Sequence, residues 1–257
     1  MKLMKHITRG VSSPPRRVLV YGTHGIGKTT FGAMSQRPVF IQTEDGLAGV
    51  ETDRFPLASR LGEVTAALAE LRAEQHDYRT VVLDSLDWLE RLIHSEVCQK
   101  RSVESIEDIG YGKGYVFALP LWREVLNTLD ALRNERDMEV ILVAHAQIEK
   151  FANPETETYD RYAPRLQKLA SALVQEWCDE VLFATYRVHT RTAIEGFDRK
   201  RVQAIGTGER VLRTSERPAH VAKNRLALPD EIALDHRVFA AYARGENPQE
   251  VAETQQL

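Results

Sequence analysis

Short apolar runs alternate along this chain with longer stretches whose apolar residues recur every three or four positions. Runs of the first kind, at 16–21, 39–41, 81–84 and 140–144, predict buried strands. Stretches of the second kind predict helices: 29–36, then 60–75 with Leu61, Val64, Leu68 and Leu71 on one face, then a helix carrying Leu86, Leu89, Ile93 and Val97. Another starts or kinks at Pro120 and runs to about 136, and Leu166, Leu169, Leu173 and Trp177 mark the next. After Asp179 the pattern changes to short strands and turns, at 181–184, 201–205, 210–214 and 219–228, before a closing helix near 236–244. Two intervals follow neither period: 102–114, rich in glycine and tyrosine, and 147–163, polar throughout. The alternation predicts an α/β fold, a mostly parallel sheet with right-handed crossovers and helices on both faces, extended antiparallel at one edge. The chain divides into a short segment 1–15, a core 16–230, and a C-terminal helix and tail 231–257.

Between the first strand and the first helix lies Gly22-Thr23-His24-Gly25-Ile26-Gly27-Lys28-Thr29-Thr30, which contains a complete G-x-x-x-x-G-K-[ST] phosphate-binding loop. Glycines at 22, 25 and 27 allow positive φ and close backbone approach, so successive N–H groups can turn onto a phosphate. Lys28 reaches the β- and γ-phosphates and the Thr29 hydroxyl suits Mg²⁺. A nucleoside triphosphate with Mg²⁺ is the cofactor this implies.

Three later strand ends carry polar groups where ligands of parallel sheets gather. Asp84 ends an apolar strand, the place of a carboxylate that holds Mg²⁺, although a helix N-cap leaves the same signature. Glu44 follows the second strand and suits a water-activating base, which a hydrolase needs and a small-molecule kinase does not. A solvated loop acid beside Asp45 is the plainer reading. His145 and Gln147 follow the fourth strand, either one placed to sense the γ-phosphate.

Composition narrows the partners little. The net charge of −3 argues against a wholesale polyanion binder but leaves room for a local basic groove. No apolar run approaches the ~20 residues of a membrane helix, so the expectation is a cytoplasmic protein without membrane contact. The two cysteines, Cys98 and Cys178, lack metal-ligand spacing and read as buried thiols.

Taken together, these residues resemble RecA-type recombinases, and the chain is similar to the short RecA-like single-strand annealing ATPases of tailed phages, the ATPase type within the Sak group. Phe40-Ile41-Gln42-Thr43-Glu44 resembles the strand that ends in the catalytic glutamate. Val81-Val82-Leu83-Asp84-Ser85 matches the apolar run ending in Asp-Ser, and Val143-Ala144-His145-Ala146-Gln147 the strand ending in a polar sensor. The family's Asn-Gln pair is not reproduced. Ala222-Lys223-Asn224-Arg225-Leu226-Ala227-Leu228-Pro229 resembles a late motif whose basic residues reach a neighbouring subunit's nucleotide, which implies catalytic roles in trans for Lys223 and Arg225. The long N-terminal oligomerisation domain and the C-terminal regulatory domain of full recombinases have no counterpart in the sequence, so ring and filament both stay open.

The resemblance also implies two DNA-binding loops, at about 102–114 and 147–163. The first offers Tyr111, Lys113 and Tyr115; the second offers Lys150, Phe151, Arg161 and Tyr162, with Arg165 and Lys168 just beyond it. Aromatic rings stack on bases and cations track phosphates. The implied function is ATP-dependent binding of single-stranded DNA for annealing or recombination by a homo-oligomer in the cytoplasm of a bacterial host, with a single-strand-binding protein as a further partner. The alternative is a nucleotide-gated module that binds a protein and leaves DNA alone.

Overall fold

The computed structural model describes residues 14–195 and 199–248, with side chains at 188–207 outside that description. Residues 1–13 and 249–257, most of the expected N-terminal segment and the end of the expected tail, lie outside it as well. The sheet is built from β1 (Arg17–Gly22), β2 (Pro38–Gln42), β3 (Asp53–Arg54), β4 (Thr80–Asp84), β5 (Glu139–Phe151), β6 (Tyr159–Pro164), β7 (Glu180–Glu195), β8 (Arg199–Arg213), β9 (Lys223–Asn224) and β10 (Glu231–Ala233). The helices are α1 (Lys28–Ala33), α2 (Leu61–Ala73), α3 (Leu86–Arg101), α4 (Lys113–Arg136), α5 (Lys168–Trp177) and α6 (His236–Arg244). The strand order is β10-β8-β7-β1-β5-β4-β2-β3, with β6 paired to β5 and β9 to β7. From β7 to β3 the path is parallel; β8 and β10 extend it antiparallel, as expected.

Side chains alternate across the parallel strands, so each strand feeds two cores. Leu19, Ile41, Leu83 and Leu142 join the α2–α5 layer, while Val18, Phe40, Val82 and Ile141 join α1 and α6. That two-sided burial explains why these strands read as unbroken apolar runs rather than as alternating ones. The predicted apolar faces of α2 and α3 are the buried ones. In α5 the expected face largely holds: Leu166 is buried, and Leu173 and Trp177 pack on the core beside buried Ala170 and Val174, whereas Leu169 is exposed. The start of α5 is pinned by Gln167, whose N–H donates to Glu90 on α3.

Several expectations are corrected. The interval 147–163 is no loop: β5 runs on to Phe151 and pairs antiparallel with β6 from Ala146↔Pro164 to Phe151↔Tyr159. Only 152–158 joins the strands, and cross-strand pairing, invisible to periodicity, decides this. Helix α4 begins at Lys113, with Pro120 inside it rather than at its start. The stretches 201–205 and 210–214 belong to one continuous strand, and 219–228 shrinks to the short β9. Cys178 is buried, but Cys98 is partly exposed. Residues 231–244 pack as part of the sheet and its second core: β10 pairs with β8, and Phe239 meets Phe31 edge-on at 6.0 Å. Among the described residues, no helix is long and apolar enough to cross a membrane.

Candidate functional site

Four parallel strands, β1, β5, β4 and β2, deliver their C-terminal ends side by side, and a cavity of about 300 Å³ opens above them. Because β5 lies between β1 and β4, His145 is carried between the phosphate loop and Asp84.

At the loop the glycines serve different ends. Gly22 is needed for its lack of a side chain, since a Cβ there would sit 2.4 Å from the Ala184 carbonyl oxygen of β7. Only Gly25 and Gly27, not Gly22, use positive φ, at 71° and 111°. Lys28 is buried, and its ammonium donates to the carbonyls of Gly22 (3.1 Å) and Thr23 (2.9 Å), which aims it along the loop. Burial pulls its pKa down against the raising influence of Asp84, Asp87 and Glu44.

The Thr29 hydroxyl donates to Asp84 Oδ2 at 2.7 Å. Asp84 is not the N-cap of α3; that position belongs to Ser85. Burial raises the Asp84 pKa, opposed by Thr29 and Lys28. A hydroxyl and a carboxylate paired at the foot of a phosphate loop are hard oxygen donors of the kind Mg²⁺ takes beside a nucleotide. The residues fit the cation that the sequence implies.

Glu44 faces the same cavity. Thr43 fixes it: the Thr43 hydroxyl donates to the Ser85 carbonyl at 2.7 Å and accepts from the Ser85 N–H at 3.0 Å, tying the end of β2 to the end of β4. The Ser85 hydroxyl then donates to Glu44 Oε2 at 3.0 Å, and His145 Nδ1 lies 3.8 Å from the same oxygen. Glu44 is therefore a held side chain of the cavity, not a free loop acid.

His145 and Gln147 separate clearly. His145 is buried, stacks on His24 of the phosphate loop (centroids 3.8 Å apart) and is held by Asp87. Gln147 donates instead to the carbonyls of Pro164 and Leu166, bracing the β5–β6 pair. The histidine is the one at the phosphate site. Asp87 also accepts from Arg165, and although burial works the other way, these bonds hold its pKa well below the usual carboxylate range. Arg165, expected on DNA, is thus joined to the cavity network.

The other expected DNA contacts divide. Tyr111 is fully exposed, and Lys113, Lys150 and Lys168 are exposed. Tyr115 donates to Glu107 and meets His94 edge-on. Arg161 lies over Phe151 at 3.9 Å and pairs with Glu149, while Tyr162 stacks on Phe183 at 5.0 Å. Lys223 and Arg225 lie towards the opposite end of the sheet from their own chain's loop. The Lys223 ammonium caps α5 through the carbonyls of Gln175, Glu176 and Cys178, and Arg225 pairs with Asp179 at 3.1 Å.

Sequence reading missed Ser85, Asp87 and Arg210, all of which touch this site or its supports. Asp87 had a usable signal, since it follows Asp84 by three residues at the start of a helix. Arg210, which lines the cavity from β8, had none.

A phosphate loop, a hydroxyl–carboxylate pair and a buried strand-end histidine around one cavity define a P-loop nucleotide-binding protein. The chain belongs to the AAA domain family, whose sequence model matches residues 14–226. It is 25% identical over 141 residues to the SPbeta prophage-derived uncharacterized protein YorG of Bacillus subtilis (strain 168), a match covering 52% of this chain and 42% of that protein. The chain therefore spans less than half the length of that relative. Among solved structures it is similar to the crystal structure of the RadB recombinase, at 16% identity and a TM-score of 0.45, over 86% of this chain and 91% of that one.

Proposed function

We propose that this protein is an ATPase that assembles as a homo-oligomer on single-stranded DNA and promotes annealing or homologous pairing. The observation that carries the hydrolytic part is Glu44, held by Ser85 beside His145 in the cavity that contains Lys28. A carboxylate so placed accepts a proton from water attacking the γ-phosphoryl group. Lys28 and the loop N–H groups bind the phosphates, and His145 marks the presence of the last one. Mg²⁺, when bound at Thr29 and Asp84, neutralises phosphate charge. Lys223 and Arg225 point away from their own site, which supports a role in trans at a subunit interface; such cations stabilise the charge of phosphoryl transfer.

The DNA part is supported by exposed Tyr111 and Lys113 and by the Asp87–Arg165 bond, which ties His145 to the base of the β5–β6 hairpin. Loss of the γ-phosphate would be felt at that hairpin through Asp87. Anisotropy of a fluorescent single-stranded oligonucleotide, with ATP, with ADP and without nucleotide, tests the proposal alongside Lys28→Ala. Tight, salt-sensitive binding that needs ATP and vanishes in the variant is expected.

A second reading rests on the partners that Tyr115, Phe151, Arg161, Tyr162 and Arg165 already have within the chain. A nucleotide-gated module that binds a protein needs none of them free. Absence of DNA binding in every nucleotide state would select it.

A further inference from the structure

Arg210 is the one cation of the cavity that no motif accounts for. It lies on β8, and its own carbonyl accepts the backbone bond that ties this strand to the β10–α6 turn: the Leu234 N–H donates to it at 3.1 Å. Its guanidinium stands directly over the phosphate loop, since a Cβ built on Gly27 would meet Arg210 Nη1 at 3.2 Å and Leu234 Cδ2 at 3.4 Å. Among the described residues, the neighbouring arginines are neutralised: Arg187 pairs with Glu209 and Glu231, Arg213 with Glu231, and Arg217 with Asp230. Arg210 makes no ion pair or side-chain hydrogen bond among the described residues, although Glu209 precedes it on the same strand. A guanidinium that lines a cavity and has no carboxylate partner is available to an anion that enters it.

We infer that Arg210 binds the α/β-diphosphate of the bound nucleotide in cis, closing over the loop from the β8 edge. This rests on the nucleotide-binding reading and adds a ligand to it. The position favours the diphosphate over the terminal phosphate. Arg210 stands at Gly27, where the loop enters α1, whereas the wall formed by Glu44 and His145 belongs to the strand ends of β2 and β5. The planar guanidinium presents paired donors that match phosphate oxygens, and lysine does so only as a point charge. Arg210 is thereby separated in role from Lys223 and Arg225, which lie at the other end of β7 from their own chain's loop.

The test is titration of the full chain with fluorescent N-methylanthraniloyl ATP and ADP in Mg²⁺, comparing wild type, Arg210→Ala, Arg210→Lys and Lys28→Ala. Arg210→Ala should weaken both nucleotides by a similar factor, roughly ten- to a hundredfold, the loss of a charge-assisted bond. Arg210→Lys should recover part of it, and circular dichroism should show the fold intact. Affinities within twofold of wild type for both nucleotides would overturn the assignment, as would a loss confined to ATP, which would move Arg210 to the γ-phosphate. If Arg210→Ala fails to fold, Arg210→Lys decides alone, by weakening both nucleotides alike or neither. Wild type that binds no nucleotide would instead defeat the nucleotide-binding reading itself, a result distinct from a silent Arg210 variant.

Discussion

Asp87 holds His145 twice, accepting from its backbone N–H at 3.1 Å and lying 3.0 Å from its ring Nδ1, while the same carboxylate takes Arg165. One buried acid thus fixes the ring that stacks on the phosphate loop and the arginine at the base of the β5–β6 hairpin. Removing one member of a buried charged cluster leaves the others unpaired, at a cost of about 3–5 kcal/mol. Asp87→Ala should therefore lower the urea midpoint strongly, and Asp87→Asn should lower it less. The folded pKa is depressed, so this stabilisation is present above the ordinary aspartate pKa and is lost as pH falls through the folded value. A midpoint equal to that of wild type in Asp87→Ala would show that the cluster contributes nothing.

Glu44→Gln should still bind ATP with near wild-type affinity but hydrolyse it roughly 10²- to 10⁴-fold more slowly, the usual worth of a general base. Ser85→Ala, which frees the carboxylate without removing it, should fall between the two. Phosphate release and nucleotide titration on the same preparations separate turnover from binding. Equal turnover by wild type and Glu44→Gln would remove the glutamate from its proposed role.

Gly22→Ala places a methyl group 2.4 Å from the Ala184 carbonyl oxygen, so β1 and β7 must move apart at the mouth of the loop. Overpacking of this kind costs roughly 1–3 kcal/mol. Denaturation curves should show that loss, and nucleotide affinity should fall with it. Gly62→Ala on α2, where a Cβ meets nothing within 4 Å and which does not line the cavity, serves as the control and should lower neither.

Two buried carboxyls predict how stability depends on pH. Burial pushes Glu180 and Glu90 up to about 7, against the bonds they accept from the backbone N–H groups of Arg225 and Gln167. Each binds its proton more tightly folded than unfolded, so stability falls as pH rises between the ordinary glutamate value and about 7, then levels off. Glu180 has one oxygen buried without a partner, and Glu180→Gln should flatten part of that slope in thermal melts between pH 4.5 and 8. An unchanged slope in this variant would locate the pH dependence elsewhere.

If the exposed Tyr111–Lys113 turn stacks on bases, the double substitution to alanine should weaken single-stranded DNA binding about tenfold, since each stacked ring contributes ~1–3 kcal/mol. Anisotropy at constant salt measures this directly. Nucleotide affinity should not change, because neither residue lines the phosphate cavity.

The sequence by itself determined the parallel core and the heart of the cavity. Two-sided burial writes strands as apolar runs, and the phosphate loop, Asp84 and Glu44 each sit within a few residues of a strand end, so local order is enough to bring them to one cavity. Tertiary structure decided what depends on side-by-side strands. Inserting β5 between β1 and β4 brought His145, and not Gln147, to the loop, and cross-strand pairing turned 147–163 into a hairpin. The same packing drew Asp87 and Arg165 together across 78 residues and set Arg210 over Gly27 from a strand 183 positions later. Periodicity reports which way a side chain faces within its own element; it carries no information about which element lies alongside.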